Sequence, residues 1–189
     1  MKVVSVWNPK GGQGKSTVAI NLAAAAVDNG HSVIVIDRDE QGTSMLYQQA
    51  QHLPFEVLGV FPEKAPAVDL VLIDHMANDR RVPESRILVM PVIPKRSQYA
   101  AYIEARQLAE ARSKRLVSVV INGDLRRSDE RHVIQALKKD GALEIRASGA
   151  FGRADSEYRT IFDDKLNPVY GIKERRNEFL KLLDGVLSI

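Results

Sequence analysis

Asn8-Pro9-Lys10-Gly11-Gly12-Gln13-Gly14-Lys15-Ser16-Thr17 is the stretch that decides the fold of this 189-residue chain. Ahead of it, Val3, Val4, Val6 and Trp7 make the short β-branched and aromatic run of a buried strand. Behind it, residues 18–27 are apolar, alanine-rich and helical in pattern. A glycine-rich loop leading from a strand into a helix is a phosphate cradle, because the loop amides and the helix N-terminus both present N–H groups to an anion. The usual G-x-x-x-x-G-K-[ST] pattern would have to begin at Pro9, where a glycine would stand. A second cation, Lys10, instead enters the loop five residues before Lys15. An extra cation matters most where charge builds up on a transferring phosphoryl group.

Outward from the loop, two further apolar runs end in acidic residues. His31-Ser32-Val33-Ile34-Val35-Ile36-Asp37 follows the helix stop Asn29-Gly30 and continues into Arg38-Asp39-Glu40-Gln41-Gly42; Asp69-Leu70-Val71-Leu72-Ile73-Asp74 repeats the design. Near-continuous apolar runs of this length are strands buried on both faces, as in parallel sheets. Residues 55–60, 87–92, 116–122 and 143–146 read as further strands, and residues 44–50, 98–115, 129–139 and 173–187 as helices, Ser128 being the expected N-cap of the third of these. The alternation predicts an α/β fold: a single domain over residues 1–189, with a mostly parallel twisted β-sheet and helices on both faces.

Hydrophobic residues make up 44% and charged residues 27%, a globular composition. The absence of cysteine excludes disulfides, thiolate metal sites and iron–sulfur clusters. No apolar run approaches the eighteen residues of a membrane span and no signal-peptide pattern opens the chain, so a cytoplasmic protein is expected. Net charge is +3 but unevenly placed: residues 1–94 carry 8 Lys+Arg against 10 Asp+Glu, and residues 95–189 carry 19 against 14. A mild basic surplus permits non-specific nucleic-acid contact without establishing it.

The string K-G-G-x-G-K-[ST]-T at residues 10–17 resembles the deviant Walker A motif of the ParA/MinD family of P-loop ATPases. Residues 37–42 resemble that family's D-x-D-P-Q-G motif, with Glu40 in place of proline, and residues 69–74 its Walker B strand. The family's x-P-P after Walker B is replaced by His75-Met76-Ala77, and its R-x-x-Y-x-x-A-x-x-x-G-x-x-V region is matched only loosely by residues 152–171. The missing cysteines set the chain apart from the nitrogenase iron protein of the same superfamily.

The resemblance implies an Mg2+-dependent ATPase. Backbone amides from Gly11, Gly12, Gln13, Gly14 and Thr17 would cradle the phosphates, Lys15 would bridge the β- and γ-phosphates, and Ser16 would ligate Mg2+. Asp37 and Asp74 would support the metal shell, and Asp39 would position the attacking water. Lys10, the family's signature lysine, would reach across an ATP-sandwich homodimer to the partner's nucleotide. Asn122 either reads the adenine edge or caps the loop bearing Arg126. His75 is expected to be a hydrogen-bonding or packing residue rather than a base.

Partition relatives bind DNA non-specifically and pair with a separate centromere-binding adaptor. Arg126, Arg127, Arg131, Lys138, Lys139, Arg153, Arg159, Arg175 and Arg176 are the DNA candidates here, in a protein that would associate with the nucleoid when ATP-bound. No helix-turn-helix precedes the first strand, so operator recognition is not expected. The alternatives are a MinD-like membrane positioner, for which the last helix would have to lie on lipid rather than pack on the sheet, an accessory ATPase of conjugative transfer, and an amide-forming synthetase.

Overall fold

The computed structural model describes residues 1–39 and 42–189, so Glu40 and Gln41 of the second motif lie outside the described residues. Seven strands form one sheet in the order β3-β2-β4-β1-β5-β6-β7, with every pairing parallel. They are β1 (Lys2–Val6), β2 (Val33–Asp37), β3 (Glu56–Leu58), β4 (Leu70–Asp74), β5 (Ile87–Val92), β6 (Arg115–Gly123) and β7 (Leu143–Arg146). The central strands are buried on both faces, which is why they read as unbroken Val/Ile/Leu runs rather than alternating ones.

The helices are α1 (Lys15–Asp28), α2 (Thr43–Gln49), α3 (Arg96–Glu110), α4 (Ser128–Lys139), α5 (Gly149–Ser156) and α6 (Ile172–Leu187). On one face, Val4, Val6, Val35, Leu72 and Val89 pack with α1, α5 and α6. On the other, Leu88, Met90 and Val92 pack with Tyr102 and Ala105 of α3 and Ile134 and Leu137 of α4. The α6 face of Ile172, Phe179, Leu182, Leu183 and Val186 is buried against α1 and the β6–β7 edge, so the last helix packs on its own sheet.

Three local expectations are corrected. The third helix ends at Glu110 rather than Arg115, because Ser113 turns left-handed (φ 54°) and the chain enters β6 at Arg115. Ser128 is the first residue of α4 rather than its cap: Arg127 holds the cap position without a side-chain cap bond, while the Ser128 carbonyl accepts a 2.8 Å bond from His132 Nδ1. The segment after β7 contains α5, which has no apolar periodicity in sequence; the Ser148 hydroxyl caps it by accepting from the Ala150 amide at 3.2 Å.

Candidate nucleotide site

The glycine-rich loop lies between β1 and α1 at the carboxyl edge of the sheet, where open α/β sheets bind ligands. Two glycines supply its left-handed turns, Gly12 at φ 70° and Gly14 at φ 74°. Gly14 is also the N-cap of α1, and a Cβ there would collide with Ile121 Cδ1 from β6. The loop is braced from inside. Buried Asn8 donates to the Pro91 carbonyl (2.9 Å) and accepts from the Lys10 amide (3.0 Å), and the Pro9 carbonyl accepts from the Asn78 amide (2.8 Å). Gln13 is fully buried and turns its side chain away from the cradle: its Oε1 accepts from the Ile93 amide at 2.8 Å and its Nε2 donates to Gln98. Its cradle contribution is confined to backbone, and its side chain ties the loop to the start of α3.

Register brings the acidic strand ends to the same place. Asp74 pairs with Asp37 across β4 and β2, and with Val6 across β4 and β1. Asp37 is buried and both its oxygens accept from backbone amides, Asp39 at 2.9 Å and Met45 at 3.0 Å, so it organises the turn that carries Asp39 and starts α2. Asp74 is fully buried; its Oδ2 accepts from the Ser44 hydroxyl at 2.9 Å, and its Oδ1 has no hydrogen-bond partner among the described residues. Burial pushes its carboxyl up to about 6, against the pull of the Ser16 and Ser44 hydroxyls.

Lys15 is buried beside these carboxylates. Desolvation lowers its ammonium pKa, and the charges of Asp74 and Asp39 oppose that. Lys10, by contrast, is exposed on the outer side of the loop. The two lysines of the motif therefore face different environments.

His75 hydrogen-bonds toward β1. Its Nε2 lies 2.9 Å from the Ser5 hydroxyl, which donates to Ser85, and burial lowers the imidazole to about 4, leaving it neutral near pH 7. Beside the cradle is a cavity of about 330 Å3, lined by Gly12, Gly14 and Thr17 of the loop and first turn, and by Ile93, Asn122, Ile145 and Phe151. Asn122 sits at φ 59° on the end of β6 and borders this cavity. The apolar wall from β7 and α5 was not foreseen in sequence, because α5 lacks a periodic signal and Phe151 lies far along the chain from the loop it faces.

Of the nine DNA candidates, three turn inward. Arg159 is buried against Glu157 (3.1 Å), Asp163 and His52. Arg176 donates to the Ile161 carbonyl (2.7 Å), the Asp163 carbonyl (3.0 Å) and Asn167 (2.8 Å). Arg175 is buried against Glu178 (2.8 Å). Arg159 and Arg176 hold the chain between α5 and α6, and Arg175 is held within α6 by Glu178; the other six candidates stay exposed.

A seven-stranded parallel sheet with a glycine-rich loop between β1 and α1, and carboxylates on two neighbouring strand ends, defines a P-loop nucleoside-triphosphatase fold. A family model described as an AAA domain matches residues 1–120. The chain belongs to that family, in its ParA/MinD-type group of P-loop ATPases. It is 27% identical over 112 residues to the sporulation initiation inhibitor protein Soj of Bacillus subtilis, a match covering 55% of this chain and 44% of Soj.

Among solved structures, the cell division ATPase MinD of Pyrococcus furiosus superposes with a TM-score of 0.77 at 16% identity, covering 99% of this chain and 98% of MinD. A Cyanothece McdA variant solved as its ATP complex gives 0.71 at 14% identity, covering 100% and 97%. At these identities the likeness is one of fold. The chain spans less than half the length of the curated relatives it matches.

Proposed function

We propose that this protein is an ATP-binding and ATP-hydrolysing partition or positioning ATPase whose ATP-bound form is a homodimer. The carrying observation is the convergence of the cradle, buried Lys15 and the Asp37–Asp74 strand pair at one edge of the sheet. The ATP held by the McdA variant supports ATP as the nucleotide here. The loop amides of residues 11–17 take the phosphates and Lys15 bridges the β- and γ-phosphates. Asn122 and the apolar cavity beside it take the base.

Asp74 Oδ1, buried and without a hydrogen-bond partner among the described residues, lies by the Ser16 and Ser44 hydroxyls in an all-oxygen environment that fits Mg2+, which Ser16 and Asp74 would hold. Bound there, Mg2+ would neutralise charge between the β- and γ-phosphates. Asp39, on the turn held by Asp37, positions the attacking water.

The exposed Lys10 side chain makes no hydrogen bond or ion pair among the described residues, which supports its acting on the nucleotide of the partner protomer. ATP then favours the dimer and hydrolysis releases it. The dimer engages DNA non-specifically through Arg126, Arg127, Arg131, Lys138, Lys139 and Arg153, and a separate adaptor protein stimulates turnover.

The reading is tested by light scattering with a non-hydrolysable ATP analogue. Lys10→Ala is expected to stay monomeric while binding nucleotide with near-normal affinity, and Lys15→Ala to lose nucleotide binding. Unchanged dimerisation of Lys10→Ala would sink the assignment of Lys10.

A further inference from the structure

Helix α2 is seven residues long, and a helix that short has little stability of its own, so the groups it bonds set its place. Four of its residues bond outward. At its start, the Ser44 hydroxyl donates to Asp74 at 2.9 Å and the Met45 amide to Asp37 at 3.0 Å. Towards its end, the Tyr47 hydroxyl donates to Asp155 of α5 at 2.7 Å, and Gln48 accepts from the Val57 amide of β3 at 2.8 Å. Burial, reinforced by Asp155, raises the pKa of the Tyr47 phenol, so Tyr47 remains the donor of its pair at neutral pH.

Asp155 lies one helical turn beyond Phe151, and Phe151 lines the cavity beside the cradle. The strand-end carboxylates and the apolar wall of that cavity are therefore joined through two short helices. Among the described residues, Tyr47–Asp155 is the one hydrogen bond between those helices. A cleft of about 180 Å3, lined by Thr17, Asn21, Tyr47, Phe151, Asp155 and Arg159, opens among α1, α2 and α5. The two helices thus meet across a space bridged by a side chain rather than across a close-packed face, which leaves them room to shift.

We propose that Tyr47 is a positioning residue that couples the two ends of the bound nucleotide, an inference that rests on the nucleotide site proposed for the cradle. Asp74 receives Ser44 on the carboxylate that would also support a metal ion, so the bond that places the start of α2 differs between metal-free and metal-loaded protein. Tyr47 passes that difference to Asp155, and α5 carries it to Phe151 at the base end. Coupling of this kind is reciprocal: a base seated against Phe151 favours metal binding by the same factor.

The test is calorimetric titration of the full-length chain with ADP and with inorganic pyrophosphate, each in Mg2+ and in EDTA. The ratio of the two affinities measures what the nucleoside adds, and its change on adding Mg2+ measures the coupling. Binding of Mg2+ to the free ligands is common to all variants and cancels between them. The wild-type change is expected to exceed that of Tyr47→Phe, which keeps the ring and removes only the hydroxyl, by at least about fivefold. Asp155→Ala, at an exposed position, is expected to match Tyr47→Phe, and Asp155→Asn, which keeps an acceptor for the phenol, to match the wild type. A smaller difference between wild type and both Tyr47→Phe and Asp155→Ala overturns the proposal. Absence of binding in all four wild-type arms overturns the nucleotide-site reading and this proposal with it, whereas ADP binding without the difference overturns this proposal alone.

Discussion

Asp74 joins a buried carboxyl to the metal-supporting role proposed for it. Its carboxyl is buried and titrates near 6 rather than at the ordinary 3.8, so the folded protein holds that proton to higher pH than the unfolded chain does. Ionising it therefore weakens the nucleotide-free fold as pH rises from about 4 to about 6, and the penalty is constant above that window. His75 has the opposite sign: burial lowers it from 6.5 to about 4, so its contribution grows as pH rises through the same range.

We expect Asp74→Asn to stabilise the nucleotide-free protein at pH 7 by on the order of 2 kcal/mol, to lose that advantage near pH 4, and to abolish hydrolysis. Urea midpoints at the two pH values check this, and a pH-independent difference would refute it. Gly14→Ala combines a left-handed backbone with a collision against Ile121, and is expected to cost about 1–3 kcal/mol and to weaken nucleotide binding.

At the scale of elements, α1 ties the end of the glycine-rich loop to the C-terminal third of the chain. Asn21, on its buried face, donates to the Thr17 carbonyl at 2.8 Å and accepts from the Ile161 amide at 2.9 Å, across 140 residues of sequence. Asn21→Ala leaves a buried N–H unsatisfied and is expected to destabilise by about 1–3 kcal/mol, measured by denaturant unfolding, with hydrolysis also reduced because Thr17 sits in the cradle.

The α2 helix is a second tie. Ser44 reaches Asp74, Met45 reaches Asp37, and the Tyr47 hydroxyl donates to Asp155 at 2.7 Å on α5, with Tyr158 edge-on to its ring at 5.7 Å. A shift at Asp37 or Asp74 therefore has a mechanical route to the α5–α6 region.

Over the whole molecule, charge separates into structural and exposed sets. The inward arginines 159 and 176 hold the chain between α5 and α6, whereas Arg126, Arg127 and Arg131 stand on an exposed loop and helix start among Asp124, Asp129 and Glu130. If the outward set engages duplex DNA, charge reversal at Lys139 and Arg153, which are exposed and make no ion pair among the described residues, lowers affinity across all sequences and flattens the salt dependence, without moving the unfolding midpoint. Arg159→Ala is expected to do the reverse, lowering the midpoint while leaving the salt slope intact. Filter binding at several salt concentrations, paired with thermal melts, separates the two.

The fold was legible in residues 1–94 because three strands buried on both faces must be continuous apolar runs, and because a loop that hands a phosphate from strand to helix has few workable sequences. The placing of Lys15 at the start of a helix and of Asp37 and Asp74 at neighbouring strand ends was legible for the same reason: local geometry restricts residue type at each. What sequence could not decide was direction. Nothing in residues 159, 175 and 176 distinguishes an arginine facing solvent from one folded inward onto Asp163, Glu178 and the 161–167 backbone, since partners lie near in space and not always near in sequence. The Asp74 oxygen left without a partner among the described residues and the inward turn of Gln13 are likewise products of tertiary packing. Burial and unsatisfied hydrogen-bonding groups arise only when distant elements close on one another.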